Sequence, residues 1–216
     1  MKEAVIVSGG MLDEEFVLSI LREKESRFLI AVDKGLLFLH EHGICPDYIV
    51  GDFDSVPDKV IAVYKEKKRI PIREFNPVKD ATDTEIAIRL AIEFECQQIT
   101  ILGGTGTRLD HVWGNVQSLK IALDAGVKAY LIDQNNRIQI FEKNIILKKE
   151  EAYGKYFSIF PLGGIIQDLS IDGAKYPLLH HTLTPFDSLC VSNEIKKERA
   201  TVTFTEGIVV LMETKD

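Results

Sequence analysis

A chain of 216 residues, 45% of them hydrophobic, is long enough to bury one large core or two smaller ones. The formal net charge of -7 and the scarcity of clustered basic residues argue against a nucleic-acid partner. The three cysteines are far apart and form no CxxC pair, so we expect neither zinc nor redox chemistry. The first apolar run is too short for a signal peptide or a membrane span, which predicts a cytoplasmic protein with no membrane contact.

The first part of the chain alternates short apolar runs with helical patterns. Strands are predicted at residues 4–7, 27–32, 48–50, 70–74, 99–102 and 128–132. Helices are predicted at residues 14–24, 84–95 and 109–124, the second of them because apolar residues recur on one face. This alternation predicts an α/β domain with a Rossmann-like, largely parallel sheet over residues 1–135.

From about residue 138 the helical patterns end, and short β-rich runs separated by turn residues follow. These runs lie at residues 138–141, 145–147, 156–160, 169–171, 188–191, 201–204 and 208–212. The first two are predicted to pair as a hairpin around residues 142–144, and the last two around residues 206–207. We therefore predict a C-terminal antiparallel β-sandwich domain over residues 136–216.

Two carboxylates follow directly after the predicted strand at residues 48–50. Asp52 and Asp54 would point the same way along an extended segment, with Phe53 turned toward the interior. In an open α/β sheet this is the edge where ligands bind, and carboxylates this close together suit a hard cation such as Mg²⁺. A simple turn explains the same residue types, so a turn remains the alternative.

A second acidic cluster lies at residues 79–85. Thr82 and Glu85 have the spacing of a capping box, which gives Glu85 a structural explanation. Asp83 in the first helical turn also gains from the helix dipole. Lys79 and Asp80 have no such local role, and either a phosphate contact or a surface ion pair would explain them.

A glycine-rich segment, residues 103–111, joins the predicted strand at 99–102 to a helix. Its glycines, the following helix start and Arg108 together have the composition of a phosphate-binding loop. It is not a Walker loop, since the Gly-Lys-Ser/Thr element is missing. The alternative is a connector with Asp110 as the helix N-cap. Asp33 ends another predicted strand and could face the same sheet edge, although a turn or a helix cap explains this lone residue equally well.

These motifs, in their order and spacing, resemble the thiamine pyrophosphokinase family. The resemblance rests on residues 33–35, 51–55, 79–85 and 103–111, and it continues through 191–194, 201–204 and 207–208. It implies a homodimer with active sites near the subunit contact. It also implies an α/β domain that binds Mg²⁺ and ATP and a β-rich domain that helps to enclose thiamine. The implied reaction transfers a diphosphoryl group from ATP to the thiamine hydroxyl and yields thiamine diphosphate and AMP.

The resemblance also implies roles for individual positions. The positions implied in catalysis are Asp33, Asp52, Asp54 and Asp83, the last three of them also as metal ligands. The positions implied in ATP binding are Gly35, Lys79, Asp80, Gly103, Gly104, Thr105, Arg108, Asp110 and His111. The positions implied in thiamine binding are Asn115, Ser192 and Asn193. The chain departs from the family pattern at Lys34, Thr107 and Trp113-Gly114, which affects loop geometry and ATP affinity more than the reaction.

Two other functions fit parts of the same sequence. Residues 52–56 also fit the nucleophile motif of haloacid-dehalogenase-like phosphatases, in which Asp52 would be phosphorylated and Asp54 would act as acid and base. Two predicted strands precede this motif, and such a phosphatase leaves the Arg-x-Asp-His segment unexplained. A non-catalytic nucleotide-binding module is the other alternative, and binding without AMP formation would support it.

Overall fold

The structure is a computed structural model that describes residues 2–23, 27–67, 69–74, 81–106 and 108–216. The chain divides into two compact units, Met1–Gln134 and Asn135–Asp216. In the described segments, no helix combines the length and apolar character that crossing a membrane requires.

The first unit alternates strands and helices. Its strands are β1 (Glu3–Val7), β2 (Phe28–Val32), β3 (Tyr48–Gly51), β4 (Ile72–Glu74), β5 (Gln98–Leu102) and β6 (Lys128–Ile132). Its helices are α1 (Glu14–Arg22), α2 (Lys34–Glu41), α3 (Asp58–Lys67), α4 (Asp83–Glu93) and α5 (Leu109–Asp124).

The six strands of this unit pair in parallel in the order β4-β3-β2-β1-β5-β6. The central strands are buried, which is why they read as continuous apolar runs in the sequence. After β1 the chain adds β2, β3 and β4 on one side and then returns to add β5 and β6 on the other. The strand order therefore reverses between β1 and β5, and in such sheets ligands bind at this point.

The predicted α/β class with a largely parallel sheet is confirmed. Every strand predicted in this unit overlaps an observed strand, and the three predicted helices correspond to α1, α4 and α5. Lys24, at the end of the first predicted helix, lies outside the described residues. No bounds were predicted for α2 and α3. In α3 the buried residues Val60 and Ile61 are β-branched and therefore do not favour a helix by themselves.

The second unit is built of strands. They are β7 (Asn136–Phe141), β8 (Ile145–Lys148), β9 (Tyr156–Pro161), β10 (Ile166–Asp172), β11 (Leu178–Leu183), β12 (Arg199–Thr203) and β13 (Val209–Thr214). A single 3₁₀ turn, Lys149–Glu151, follows β8.

These strands form two antiparallel layers, β7-β13-β9 and β11-β10-β12-β8. One hydrophobic core joins residues of both layers, for example Phe157 and Leu211 of the first with Leu169 and Val202 of the second. The predicted antiparallel β-sandwich is confirmed.

Both predicted hairpins are wrong. Strand β7 pairs with β13, and β8 pairs with β12, so strands that are neighbours in sequence enter different sheets. The same holds for β12 and β13, which pair with β10 and β9 instead of each other. The predicted strand at 188–191 is a turn, in which the Val191 amide donates to the Ser188 carbonyl at 3.2 Å. Alternation fixes which face of a strand is buried but not which strand is its partner.

An ion pair ties β7 to β13. Arg137 and Glu213 are directly paired residues of the two strands. The Arg137 guanidinium donates from Nε to Oε2 of Glu213 at 2.7 Å and from Nη2 to Oε1 at 2.8 Å. The Tyr153 amide donates to the same Oε1 at 3.1 Å, and the Glu213 side chain is only 4% exposed. This carboxylate therefore satisfies three donors in a nearly dry position.

Candidate active site

The carboxyl ends of β1, β2, β3 and β5 meet at one edge of the parallel sheet. The segments that follow these strands are residues 8–11, 33–35, 52–55 and 103–106, and they contain seven of the predicted site positions, Asp33, Gly35, Asp52, Asp54, Gly103, Gly104 and Thr105. The start of α4 joins them through a hydrogen bond of 3.0 Å between the hydroxyls of Ser8 and Thr84. The candidate site is thus assembled from five segments that are distant in sequence.

The segments after β1 and β5 are bonded to each other through their backbones. Ser8 donates to the Leu102 carbonyl at 2.8 Å, and Gly10 donates to the Gly103 carbonyl at 2.8 Å. Met11 then donates to the Thr105 carbonyl at 3.0 Å. We call residues 8–11 and 103–106 the paired loops, because these three bonds make them one structure at the point where the strand order reverses.

Packing between the paired loops accounts for their glycines. A Cβ atom on Gly10 would overlap the carbonyl groups of Gly103 and Thr105, and one on Gly103 would overlap the Ser8 carbonyl. Gly103 also has a φ of +65°, which favours glycine. The space of the missing side chains at Gly10 and Gly103 is thus occupied by protein. The sequence suggested that the glycines of residues 103–111 belong to a phosphate-binding loop, and contact of their backbone with phosphate stays a prediction.

Asp33 and Gly35 lie where β2 turns into α2. Asp33 has φ 46° and ψ -119°, a strained conformation for a residue with a side chain, and such strain is often found at functional sites. Its amide donates to the Val50 carbonyl at 3.2 Å, and its carboxylate lies against Gly51 of the neighbouring strand. A Cβ atom on Gly35 would overlap the Val7 carbonyl, so this glycine lets α2 approach β1.

Asp52 and Asp54 lie in a turn and not in an extended segment, so the predicted alternation does not apply. The Asp54 amide donates to Oδ1 of Asp52 at 3.2 Å, and Phe53 adopts a φ of +60°. Phe53 is buried in the core, as predicted. Asp52 is half-buried and Asp54 is exposed, and both follow the end of β3 at the candidate site.

The start of α4 has the predicted N-cap at Thr82, whereas the Glu85 carboxylate, predicted to reach back to the Thr82 amide, bonds to Arg89. The Glu85 amide donates to the Thr82 hydroxyl at 3.2 Å, and the Glu85 carboxylate pairs with Arg89 at 2.8 Å. Asp83, in the first turn, is half-buried beside this cap. Among the described residues, no three His, Cys, Asp or Glu side chains are close enough together to hold a metal ion. Lys79 and Asp80 lie outside the described residues, so their predicted roles stay predictions.

Arg108 and Asp110 pair with each other at the start of α5. The guanidinium donates from Nη2 to Oδ2 of Asp110 at 2.6 Å and from Nε to Oδ1 at 3.2 Å. Because α5 begins at Leu109 with Arg108 in the N-cap position, the alternative role of Asp110 as N-cap is wrong. His111, one residue further on, is exposed, and Thr107 lies outside the described residues. Both members of the pair are open to solvent, which leaves Arg108 accessible to an incoming anion.

This contact has a consequence that titration can measure. Hydrogen bonding from Arg108 lowers the pKa of Asp110 from 3.8 to about 2. Any stability from the pair is therefore fully present above pH 3.8 and is lost as the pH falls through about 2. In carboxyl ¹³C NMR we expect Asp110 to titrate near 2 in the wild type and closer to 3.8 in Arg108→Gln.

A second carboxylate provides the control for this titration. Hydrogen bonding from Lys197 lowers the pKa of Asp172, and the Arg108→Gln change should leave that pKa unaltered. A wild-type Asp110 that titrates near 3.8 would show that the ion pair does not persist in solution.

The three positions implied in thiamine binding have different environments. Asn115 is buried in α5, and its Nδ2 donates to the Gly104 carbonyl at 2.7 Å, so it supports the loop after β5. In the second unit, Nδ2 of Asn193 donates to the Tyr176 carbonyl at 2.8 Å, and Oδ1 accepts from the Tyr176 amide at 3.0 Å. Ser192 is exposed with a φ of +57°. The side chains of both asparagines thus form hydrogen bonds with backbone groups. Contact of Asn115, Ser192 or Asn193 with thiamine stays a prediction.

The sequence analysis singled out neither Ser8 nor Thr84 as a site residue. Ser8 precedes two glycines directly after the first strand, which was a usable signal once that strand was placed at the centre of the sheet. The partnership of Ser8 with Thr84 joins residues 76 positions apart, so no local pattern could reveal it.

Both units match known families. Residues 21–131 match the family described as thiamin pyrophosphokinase, catalytic domain, and residues 143–209 match the one described as thiamin pyrophosphokinase, vitamin B1 binding domain. A thiamine pyrophosphokinase from Bacillus subtilis (strain 168) is 33% identical over 222 residues, covering 100% of both chains.

Solved structures agree with these matches. The crystal structure of thiamine pyrophosphokinase from Bacillus subtilis has a TM-score of 0.87 at 33% identity, with 100% of both chains covered. The crystal structure of thiamin pyrophosphokinase from Geobacillus thermodenitrificans has a TM-score of 0.83 at 30% identity, covering 99% of this chain and 98% of that chain.

The parallel sheet with its loops at one edge, the β-sandwich and these matches together define an enzyme, a transferase of the kinase type. The sequence resemblance is confirmed at the level of the whole chain. The chain belongs to the thiamine pyrophosphokinase family.

Proposed function

We propose that this enzyme transfers the diphosphoryl group of ATP to the hydroxyl of thiamine, with Mg²⁺ as cofactor. The observation that carries the proposal is the convergence of Asp33, Asp52, Asp54 and Asp83 with the paired loops at one edge of the sheet. Family membership supports the substrate, because the second unit matches a vitamin B1 binding domain. The proposal includes a homodimer, as the resemblance implies, and a cytoplasmic location, as the short first apolar run predicts.

In this proposal the new bond joins the thiamine hydroxyl oxygen to the β-phosphorus of ATP. The bond between that phosphorus and the oxygen bridging to the α-phosphate breaks, and AMP leaves with the bridging oxygen. The hydroxyl proton passes to a base. Asp83 is assigned to the hydroxyl, either orienting it or accepting its proton, because it lies in the first turn of α4 beside the paired loops.

The phosphate chain is assigned to the segment from the paired loops to the start of α5. Arg108 is exposed and its fork-shaped guanidinium already makes a two-point contact with a carboxylate, the geometry with which it would bind phosphate oxygens. The start of α5 adds the positive end of a 16-residue helix. Asp110, His111 and the glycine backbone complete the proposed ATP contacts, together with Gly35, Lys79, Asp80 and Thr105.

The carboxylate oxygens at this edge of the sheet suit Mg²⁺. This ion is usually held by one or two carboxylates and by substrate phosphate oxygens, not by an all-protein cage. Asp52 and Asp54 on one turn, with Asp83 on a neighbouring segment, offer such oxygens without forming a closed cluster. When bound, the ion would neutralise charge on the phosphate oxygens.

Incubation of the protein with ATP, Mg²⁺ and thiamine tests the proposal. We expect AMP and thiamine diphosphate in equal amounts, and neither product when thiamine or Mg²⁺ is left out. ADP with thiamine monophosphate would overturn diphosphoryl transfer. Release of inorganic phosphate with an aspartyl-phosphate trapped on Asp52 would support the phosphatase instead, and nucleotide binding without AMP would support the binding module.

A further inference from the structure

We infer that Ser8 and Thr84 are positioning residues that hold the first turn of α4, and with it Asp83, in register with the paired loops. The inference rests on the proposed function for its catalytic consequence. Its structural basis is one buried hydrogen bond, 3.0 Å between the Ser8 and Thr84 hydroxyl oxygens.

The Ser8 end of this bond is fixed by the sheet. Ser8 directly follows the central strand β1 and is 3% exposed, and its own amide donates to the Leu102 carbonyl at 2.8 Å. The next residues continue the backbone bonds to the loop after β5. The Ser8 hydroxyl is therefore held in one place relative to the loop that carries Gly103 and Thr105.

The Thr84 end belongs to the helix that carries Asp83. Thr84 is 8% exposed and faces inward, whereas Thr82 closes the helix end locally by accepting from the Glu85 amide. The two contacts do different things. The Thr82 cap fixes the residue at which α4 begins, whereas the bond to Ser8 links that turn directly to the end of β1 and to the paired loops.

Both hydroxyls are buried, so loss of either one leaves the other without this partner in a place that water does not readily reach. The first turn of α4 would then be free to shift along the sheet edge. A misplacement on the order of 1 Å can cost roughly 100-fold in rate, so even a small shift at Asp83 should be visible in turnover.

Ser8→Ala, Thr84→Val and the double variant form the experiment. We expect each single variant to lower kcat for thiamine diphosphate formation roughly tenfold or more, with KM for ATP and for thiamine changed less than about twofold. The kcat of the double variant should be no lower than that of the less active single variant, because both changes remove the same bond. Thr84→Ser keeps the hydroxyl and should restore kcat.

Hydrogen exchange of the Ile86 amide gives a readout that does not need activity. This amide donates to the Thr82 carbonyl at 3.0 Å and reports opening of the first turn. Exchange of the Ile86 amide should be faster in both single variants than in the wild type. The double variant should exchange no faster than the faster of the two single variants. Ser118→Ala is the matched control, since the Ser118 hydroxyl is similarly buried but donates within α5 to Gly114.

The outcomes separate the two proposals. Unchanged kcat in variants with faster exchange would overturn the positioning role, and additive effects in the double variant would overturn the bond as their common cause. Wild-type protein that makes no thiamine diphosphate would defeat the proposed function alone, because the exchange measurements would still decide whether Ser8 and Thr84 hold the start of α4.

Discussion

Replacement of Asp54 by asparagine is expected to lower kcat for thiamine diphosphate formation by roughly 100-fold or more, the scale on which loss of one charged transition-state contact acts. The change is nearly isosteric and removes one negative charge from the proposed Mg²⁺ site. Replacement of Asp54 is easier to interpret than replacement of Asp52. The Asp54 amide makes the bond that shapes the turn, and the exposed Asp54 side chain is free to change without breaking that bond.

Asp58→Asn is the matched control. Asp58 is an exposed carboxylate in the first turn of α3, four residues beyond Asp54 in the sequence. Its replacement should leave kcat near the wild-type value. Near-normal turnover in Asp54→Asn, with thermal unfolding unchanged, would remove Asp54 from the site.

Replacement of Glu213 by alanine is expected to lower the free energy of unfolding by about 3 kcal/mol, since removing one partner of a buried ion pair leaves a charge without compensation. Here the Tyr153 amide would lose its acceptor, and the Arg137 guanidinium would lose both bonds to the carboxylate and keep its bond of 3.0 Å to the Glu151 carbonyl. Glu213→Gln keeps the size and one acceptor oxygen, so its cost should be smaller. Urea unfolding followed by circular dichroism measures both values.

The exposed pair of Lys197 and Asp172 provides the comparison. Their nitrogen and oxygen atoms are 3.1 Å apart, but both side chains are largely in solvent. Asp172→Ala should therefore unfold at the same urea concentration as the wild type. Equal destabilisation by Asp172→Ala and Glu213→Ala would contradict the importance of burial for the Arg137–Glu213 pair.

The strands of the α/β unit could be predicted because buried strands appear in the sequence as continuous apolar runs. Residues 4–7 of β1 are all buried, so the strand reads as an unbroken apolar run. Strand β11 was missed for the opposite reason, as only Leu183 of its six residues is buried. The hairpin errors have another cause. Residues 142–144 carry the chain from one layer of the sandwich to the other, and Asn144 there accepts from the Phe204 amide at 3.1 Å.

The candidate site was predictable in location but not in detail. A strand followed by Asp52 and Asp54 identifies a sheet edge from local residues alone. The positive φ values of Asp33 and Phe53 depend on packing against other strands, so the sequence contains no local sign of them. The Ser8 contact with Thr84 could not be predicted for the same reason, because it forms only when α4 packs on β1.

The paired loops also constrain how this chain can change. Any side chain gained at Gly10 meets the carbonyls of Gly103 and Thr105, and any gained at Gly103 meets Ser8 and Leu12. A side chain gained in one loop therefore requires the backbone of the other to move. For protein engineering, residues 8–11 and 103–106 are best exchanged together, because their backbones are bonded to each other.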